Sequence, residues 1–142
     1  MIGLDCNVLV QIAIADHPVN ARTLAAVQSE VQQREKLVFP SLVATEFLHV
    51  VTDERRFSPP LTMPEALDWM RDFLANPAVG LLEPTQASMN QILRWMRQFN
   101  LGRKRILDTH LAAVLHTSGV RRLLTSNPAD FAVFGVLETV TP

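Results

Sequence analysis

The chain has 142 residues, 48% of them apolar and 19% charged, with a formal net charge of −1. That length suits one ordinary core, so a single domain over residues 1–142 is expected. The near-neutral balance excludes a polycation, so any grip on nucleic acid must come from local clusters.

The single cysteine, Cys6, excludes an intramolecular disulfide and fits a reducing cytosol. Taken in chain order, "IGLDC" (Ile2 to Cys6) reads as a short buried strand, and "NVLVQIAIA" after it as a short helix. Ala13-Ile14-Ala15 mimics a signal cleavage site. No Lys or Arg precedes it, however, and Asp5 interrupts the apolar run, so a signal peptide is not expected. No apolar run approaches the roughly 18 residues of a membrane span. A cytoplasmic protein without membrane contact follows as the expectation.

Asp16 and Pro18 look like a helix start, with Leu24, Val27 and Val31 on its inner face. "LVFP" (Leu37 to Pro40) is a second strand, and Ser41 is placed to cap the next helix, whose apolar positions are Val43, Phe47, Val50 and Val51. "ERRFSPPLT" is a loop. Thr62 and Glu65 form a capping-box pattern, opening a helix with Ala66, Leu67, Met70, Phe73 and Leu74 inward. "VGLLEP" is a third strand. Thr85 opens a helix with Met89, Ile92, Leu93 and Met96 on one side. In "RILDTHLAAV" the next helix carries Leu107, Leu111, Val114 and Leu115 at helical spacing. "RRLLTS" and "GVLETV" are the last two strands. Strands separated by helices pair in parallel. The expected fold is therefore an α/β/α three-layer sandwich around a central parallel sheet of about five strands.

In such sheets ligands bind beyond the carboxyl ends of the strands, where the strand order switches. Asp5 closes the first strand, and Glu46 lies one to two turns into the helix after the second. Asp108 opens the helix before the fourth strand; Asn127 and Asp130 follow that strand. Each has an ordinary alternative: a helix cap for Asp5 and Asp108, a solvated helix face for Glu46, and an Asn-Pro turn for Asn127 and Asp130. One shared site accounts for all four places at once.

Three carboxylates packed together repel, so one takes a proton unless a cation neutralises them. Oxygen-only ligands suit Mg²⁺ or Mn²⁺. Such an ion polarises a phosphoryl oxygen and activates water, which points to a phosphodiester substrate. Arg94, Arg97, Arg103, Lys104 and Arg105 precede Asp108, and Arg55 and Arg56 follow the Glu46 helix. They read either as phosphate contacts or as solvated faces. A haloacid-dehalogenase-type phosphatase would need an acid two residues after Asp5, where Asn7 stands. A response-regulator receiver would need adjacent early acids and a late lysine, and neither set is found.

On "MIGLDCNVLV", "SLVATEFLHVV", "RILDTHLAAVLHTSG" and "RRLLTSNPADF" the chain resembles PIN domains over essentially its whole length. Among these it is most similar to the VapC toxins of bacterial toxin–antitoxin pairs. The closing "LLTSNPADFAVFGVLETVTP" is closest to the branch abundant in mycobacteria. The resemblance implies a Mg²⁺- or Mn²⁺-dependent endoribonuclease that cleaves structured RNA and arrests growth. Asp5, Glu46 and Asp108 fall on three family acids, and Asn127 on the fourth, Thr-x-Asp/Asn, position. Asn is a weaker, neutral ligand there, and Asp130 either supplies the missing charge or holds the turn. Asn7 and Thr125 match positions that support the acids. The resemblance also implies a small VapB-like antitoxin that blocks the site, and a toxin homodimer. The alternative is a catalytically weak or inactive PIN-like module that binds RNA without cutting it.

Overall fold

The computed structural model describes residues 1–142. Its strands are β1 (Ile2–Leu4), β2 (Leu37–Pro40), β3 (Val79–Leu82), β4 (Arg122–Leu124) and β5 (Glu138–Val140). Its helices are α1 (Cys6–Ala13), α2 (Asn20–Gln32), α3 (Ser41–Val51), α4 (Met63–Leu74), α5 (Gln86–Gln98) and α6 (Ile106–Thr117). Single 3-10 turns cover Arg103–Arg105, Pro128–Asp130 and Ala132–Phe134. All five strands are parallel, in the order β3-β2-β1-β4-β5. The expected α/β fold and strand count are borne out.

Helices α1 to α4 pack on one another, and α5 packs on α6. Right-handed crossovers place the two groups on opposite faces of the sheet. The central strands β1 and β2 are covered on both faces, so every one of their residues is buried, as continuous apolar strands of a parallel sheet should be.

Gly3 marks where α6 sits closest to the sheet. A Cβ there would come within 2.5 Å of Leu115 Cδ1. Leu115 is itself fully buried and has little room to turn. Gly3→Ala is therefore expected to cost about 1–3 kcal/mol through overpacking, seen as a lower melting temperature with the fold retained.

Several local expectations shift. Helix α2 starts at Asn20 rather than near Asp16, because the Asn20 amide donates to the carbonyls of Gln11, Ile12 and Ile14. Those last carbonyls of α1 have no helical partner, so residues 16–19 are spent turning the chain. Ser41 does not cap α3. It is the first helical residue, behind Pro40, and makes no capping bond. The two capping boxes do form, at Thr62 with Glu65 and at Thr85 with Ser88. Leu67, Met89, Leu93 and Leu107 are exposed rather than inward. On α5 the buried stripe instead runs through Ser88, Ile92 and Trp95. On α2 it runs through Thr23, Val27 and Glu30, where the buried Glu30 carboxylate receives both terminal nitrogens of Arg122 at 2.8 and 2.9 Å.

Candidate metal-binding active site

The order of the strands locates the site. From β1 the chain moves outward to β2 and β3, then crosses back to β4 on the other side of β1. The carboxyl ends of β1 and β4 therefore flank the switch point at which α/β sheets bind ligands. Asp5 leaves β1 there, its N–H bonded to the Leu124 carbonyl at 3.1 Å. Asp5, Glu46, Asp108 and Asn127 all line one cleft of about 310 Å³ at this edge.

Asp5 occupies the N-cap position of α1, yet its side chain makes no capping hydrogen bond. It is held sideways instead. Thr125 Oγ1 donates to Asp5 Oδ2 at 2.6 Å and Asn7 Nδ2 to the same oxygen at 2.8 Å. Both side-chain donors thus take Oδ2, and Oδ1 stays clear of them. Asn7 Oδ1 in turn accepts the Ser126 N–H, and Thr125 Oγ1 accepts the Asn127 N–H. The loop after β4 is thereby clamped to the start of α1.

Glu46 is half-buried in the second turn of α3 and makes no hydrogen bond within the protein. Asp108 stands in the first turn of α6, but Arg105 is the N-cap and no side-chain cap forms. Neither Asp5 nor Asp108, then, makes the capping bond that would explain it away. Asp108 Oδ2 pairs with Arg105 Nε at 3.2 Å. The same guanidinium donates to the Asp130 carbonyl, tying the Pro128–Asp130 turn to α6.

Burial pushes the Asp5 carboxyl up, and the Asp108 charge pushes it further; the Thr125 hydroxyl pulls down without winning. Burial also raises Glu46, with the charges of Asp5 and Asp108 adding to the effect. Asp108 is raised by burial and then by Asp130, against the pull of Arg105. Each of the three carboxylates is less comfortable charged than it would be in water.

That discomfort is what a divalent cation would relieve. No three acidic, His or Cys side chains stand close enough to chelate one ion. The donor set nonetheless fits. Three carboxylate residues and Asn127 line one cleft, an oxygen-rich set that suits a hard cation. Burial pushes the Cys6 thiol well up, so it stays protonated and is no competing soft ligand.

The other sequence candidates divide. Asn127 lines the cleft, whereas Asp130 does not and acts on it through its charge on Asp108. Arg105 is not the free phosphate contact expected, because Asp108 and the Asp130 carbonyl occupy its guanidinium. Arg103 and Lys104 are exposed beside it and form no ion pair. Arg94 and Arg97 lie elsewhere, in a separate shallow depression with Leu93 and Gln98. Their neighbour Trp95 packs on His116, eight residues and about 12 Å of helix rise beyond Asp108.

Sequence reasoning missed Gln11 and His17, which also line the cleft. The Gln11 amide is buried, donates to Ser126 Oγ at 2.8 Å and accepts from Thr23 Oγ1 at 2.8 Å. A Gln at one helix position carries no pattern that announces such a role.

The family model for the PIN domain matches residues 2–136. The chain belongs to the PIN-domain family. Among PIN-domain relatives it is similar to Ribonuclease VapC24 of Mycobacterium tuberculosis, 28% identical over 135 residues that cover 95% of this chain and 92% of the relative. Two solved structures share the fold. One is VapC20 of Mycobacterium tuberculosis, described as a toxin that cleaves the sarcin-ricin loop; it has a TM-score of 0.73, 13% identity and coverage of 97% and 98%. The other is VapBC2 from Rickettsia felis bound to a DNA fragment of its promoter, with a TM-score of 0.71, 16% identity and coverage of 99% and 98%. The expected membership is thus borne out. No helix of this PIN domain is long and apolar enough to cross a membrane.

Proposed function

We propose that residues 1–142 act as one PIN-like unit, a Mg²⁺- or Mn²⁺-dependent endoribonuclease that cuts structured RNA. In this reading it is the toxin of a type II toxin–antitoxin pair, working in the cytoplasm as a homodimer and silenced by a VapB-like antitoxin. The observation that carries the reading is the convergence of Asp5, Glu46 and Asp108, from three separate junctions, on one cleft. The similarity to a named ribonuclease over 95% of the chain supports the reaction class.

Asp5, Glu46, Asp108 and the Asn127 amide oxygen would hold the ion, which polarises a phosphoryl oxygen and lowers the pKa of water when bound. Thr125 and Asn7 orient Asp5 by donating to one oxygen, so the other keeps a fixed direction. Arg105 holds Asp108 against the 128–130 turn. Glu46 makes no hydrogen bond within the protein, so its carboxylate is free to serve as a ligand from the α3 side of the cleft. Arg103 and Lys104, exposed just before Asp108 in the chain, would supply phosphate contacts, and Arg94 and Arg97 would meet only a longer RNA.

Expression of the protein alone in a bacterial host tests this. Wild type should slow growth, and Asp5→Asn should relieve the arrest while leaving the fold intact. An Asp5→Asn protein that binds RNA normally and remains equally toxic would favour a binding module that never cuts.

A further inference from the structure

A second, larger cleft of about 810 Å³ adjoins the acidic one. It lies between the α1–α2 turn and the loop before α4, and it shares His17, Arg56 and Phe57 with the acidic cleft. We propose that His17 and Arg56 form a phosphate-binding wall at this junction, and that the larger cleft seats the nucleoside next to the scissile phosphate. The proposal rests on the nuclease reading above and adds where the flanking nucleotide goes.

Arg56 is suited to the task. Its Nε is 3.7 Å from Asp53 Oδ2, but that one carboxylate is shared with Arg55, whose Nε is 3.2 Å from Oδ1. Two guanidiniums on one carboxylate leave a positive charge uncompensated. The Arg56 charge also reaches into the acidic cleft, where it favours the ionised form of Glu46. A guanidinium offers a planar fork that matches phosphate geometry. At the rim of a cleft lined by three acids, an incoming polyanion needs such a cation to overcome the repulsion.

His17 is fixed in a complementary way. The Val19 N–H donates to His17 Nδ1 at 3.3 Å. In the neutral ring this leaves Nε2 as the protonated edge, and Nε2 makes no hydrogen bond to the protein. Two donors, His17 Nε2–H and the Arg56 fork, thus stand at the seam of the two clefts.

Beyond the seam the lining is largely apolar, with Ile14, Phe57, Pro59, Pro60 and Leu61. The volume lies within the range of small-ligand pockets. Unstacked RNA bases are recognised by packing on aromatic rings, and Phe57 offers one beside the phosphate wall. Of the acids on this side, Glu65 is engaged by the Thr62 capping box, and Asp16 is exposed at the rim of the same cleft next to His17.

The test measures affinity for a fluorescein-labelled, random-sequence single-stranded RNA pool by anisotropy over a range of salt. Cleavage of the same pool is followed in parallel. Arg56→Ala and His17→Ala should each weaken binding, Arg56→Ala by about tenfold. Arg56→Ala should also reduce the salt slope by about 0.7, the loss of one phosphate contact on a single strand. Arg56→Lys should restore the slope but not all the affinity. Phe57→Leu should change which sequences are cut. A Mn²⁺-induced rise in melting temperature that persists in each variant shows that the fold and the acids are intact. If wild type binds and cuts RNA while Arg56→Ala and His17→Ala match it, the proposal is overturned and the nuclease reading stands. If wild type neither binds nor cuts the pool, both fall together.

Discussion

Asp5→Ala, Glu46→Ala and Asp108→Ala each remove a metal ligand and are expected to lower RNA cleavage by more than the roughly 10–100-fold that loss of a ligand's supporting partner costs. All three should remain folded. Each side chain sits at the cleft rather than inside the apolar core, and each is a carboxylate whose charge burial disfavours. Their circular dichroism spectra should match wild type; without metal, Glu46→Ala should not lower the melting temperature, whereas Asp5→Ala leaves the Thr125 and Asn7 donors unpaired and should cost about 1–3 kcal/mol. Thr125→Val and Asn7→Ala remove donors to Asp5 rather than a ligand, so a smaller loss, about 10–100-fold, is expected. A single-turnover assay on one RNA ranks the five variants. Equal rates for wild type and Asp108→Ala would remove the acidic cleft from the chemistry.

The second large effect is on stability, and its pH dependence has a definite sign. The folded-state pKa values of Asp5, Glu46 and Asp108 are all raised. The folded protein therefore holds protons that the unfolded chain has released. The contribution of these groups is fully present below the ordinary carboxylate pKa of about 4. It is lost as pH rises through the raised folded values. Metal-free protein should thus lose melting temperature, through this cluster, as pH climbs from that range toward neutrality. Mn²⁺ held by the ionised carboxylates should reverse the trend. At a hundredfold excess over Kd it adds about 2.7 kcal/mol, a rise of roughly 8 °C for a chain of this size. The rise should be large at pH 7 and nearly absent near pH 4, and EDTA should abolish it. Asn127→Asp should enlarge it by replacing a neutral ligand with a charged one. Asp5→Asn should erase it and leave the metal-free protein at least as stable at neutral pH. Differential scanning calorimetry at two pH values, with and without Mn²⁺, reads all of these. The same Mn²⁺ response in Asp5→Asn as in wild type would contradict the assignment.

The sheet and the acids were legible in the sequence because both rest on pattern. Short apolar runs alternating with helical periodicity specify a parallel sheet, and the switch-point rule then draws Asp5, Glu46 and Asp108 to one edge. Thr62 and Glu65 were readable as a capping box because the motif is local. What failed was whatever depends on a tertiary partner. Ser41 looked like a cap, yet Pro40 leads directly into the helix. Leu67, Met89 and Leu93 follow apolar spacing but face away from the core. Periodicity gives the width of an apolar stripe, while the neighbouring helix decides which edge of it is covered. Arg105 sat in a basic run that suggested phosphate binding, and only the folded turn at Pro128–Asp130 shows that it is occupied. The wall formed by His17 and Arg56 joins residues about forty positions apart in loops, where no spacing rule applies.

The most direct test incubates wild type and Asp108→Ala with total cellular RNA, with and without EDTA, and maps new ends across all transcripts. Discrete new ends are expected in the wild-type sample with metal, at a few sites in single-stranded stretches of structured RNA. They should be missing from the Asp108→Ala and EDTA samples. The same ends in all samples, or no new ends in any, would contradict a metal-dependent ribonuclease built on Asp5, Glu46 and Asp108.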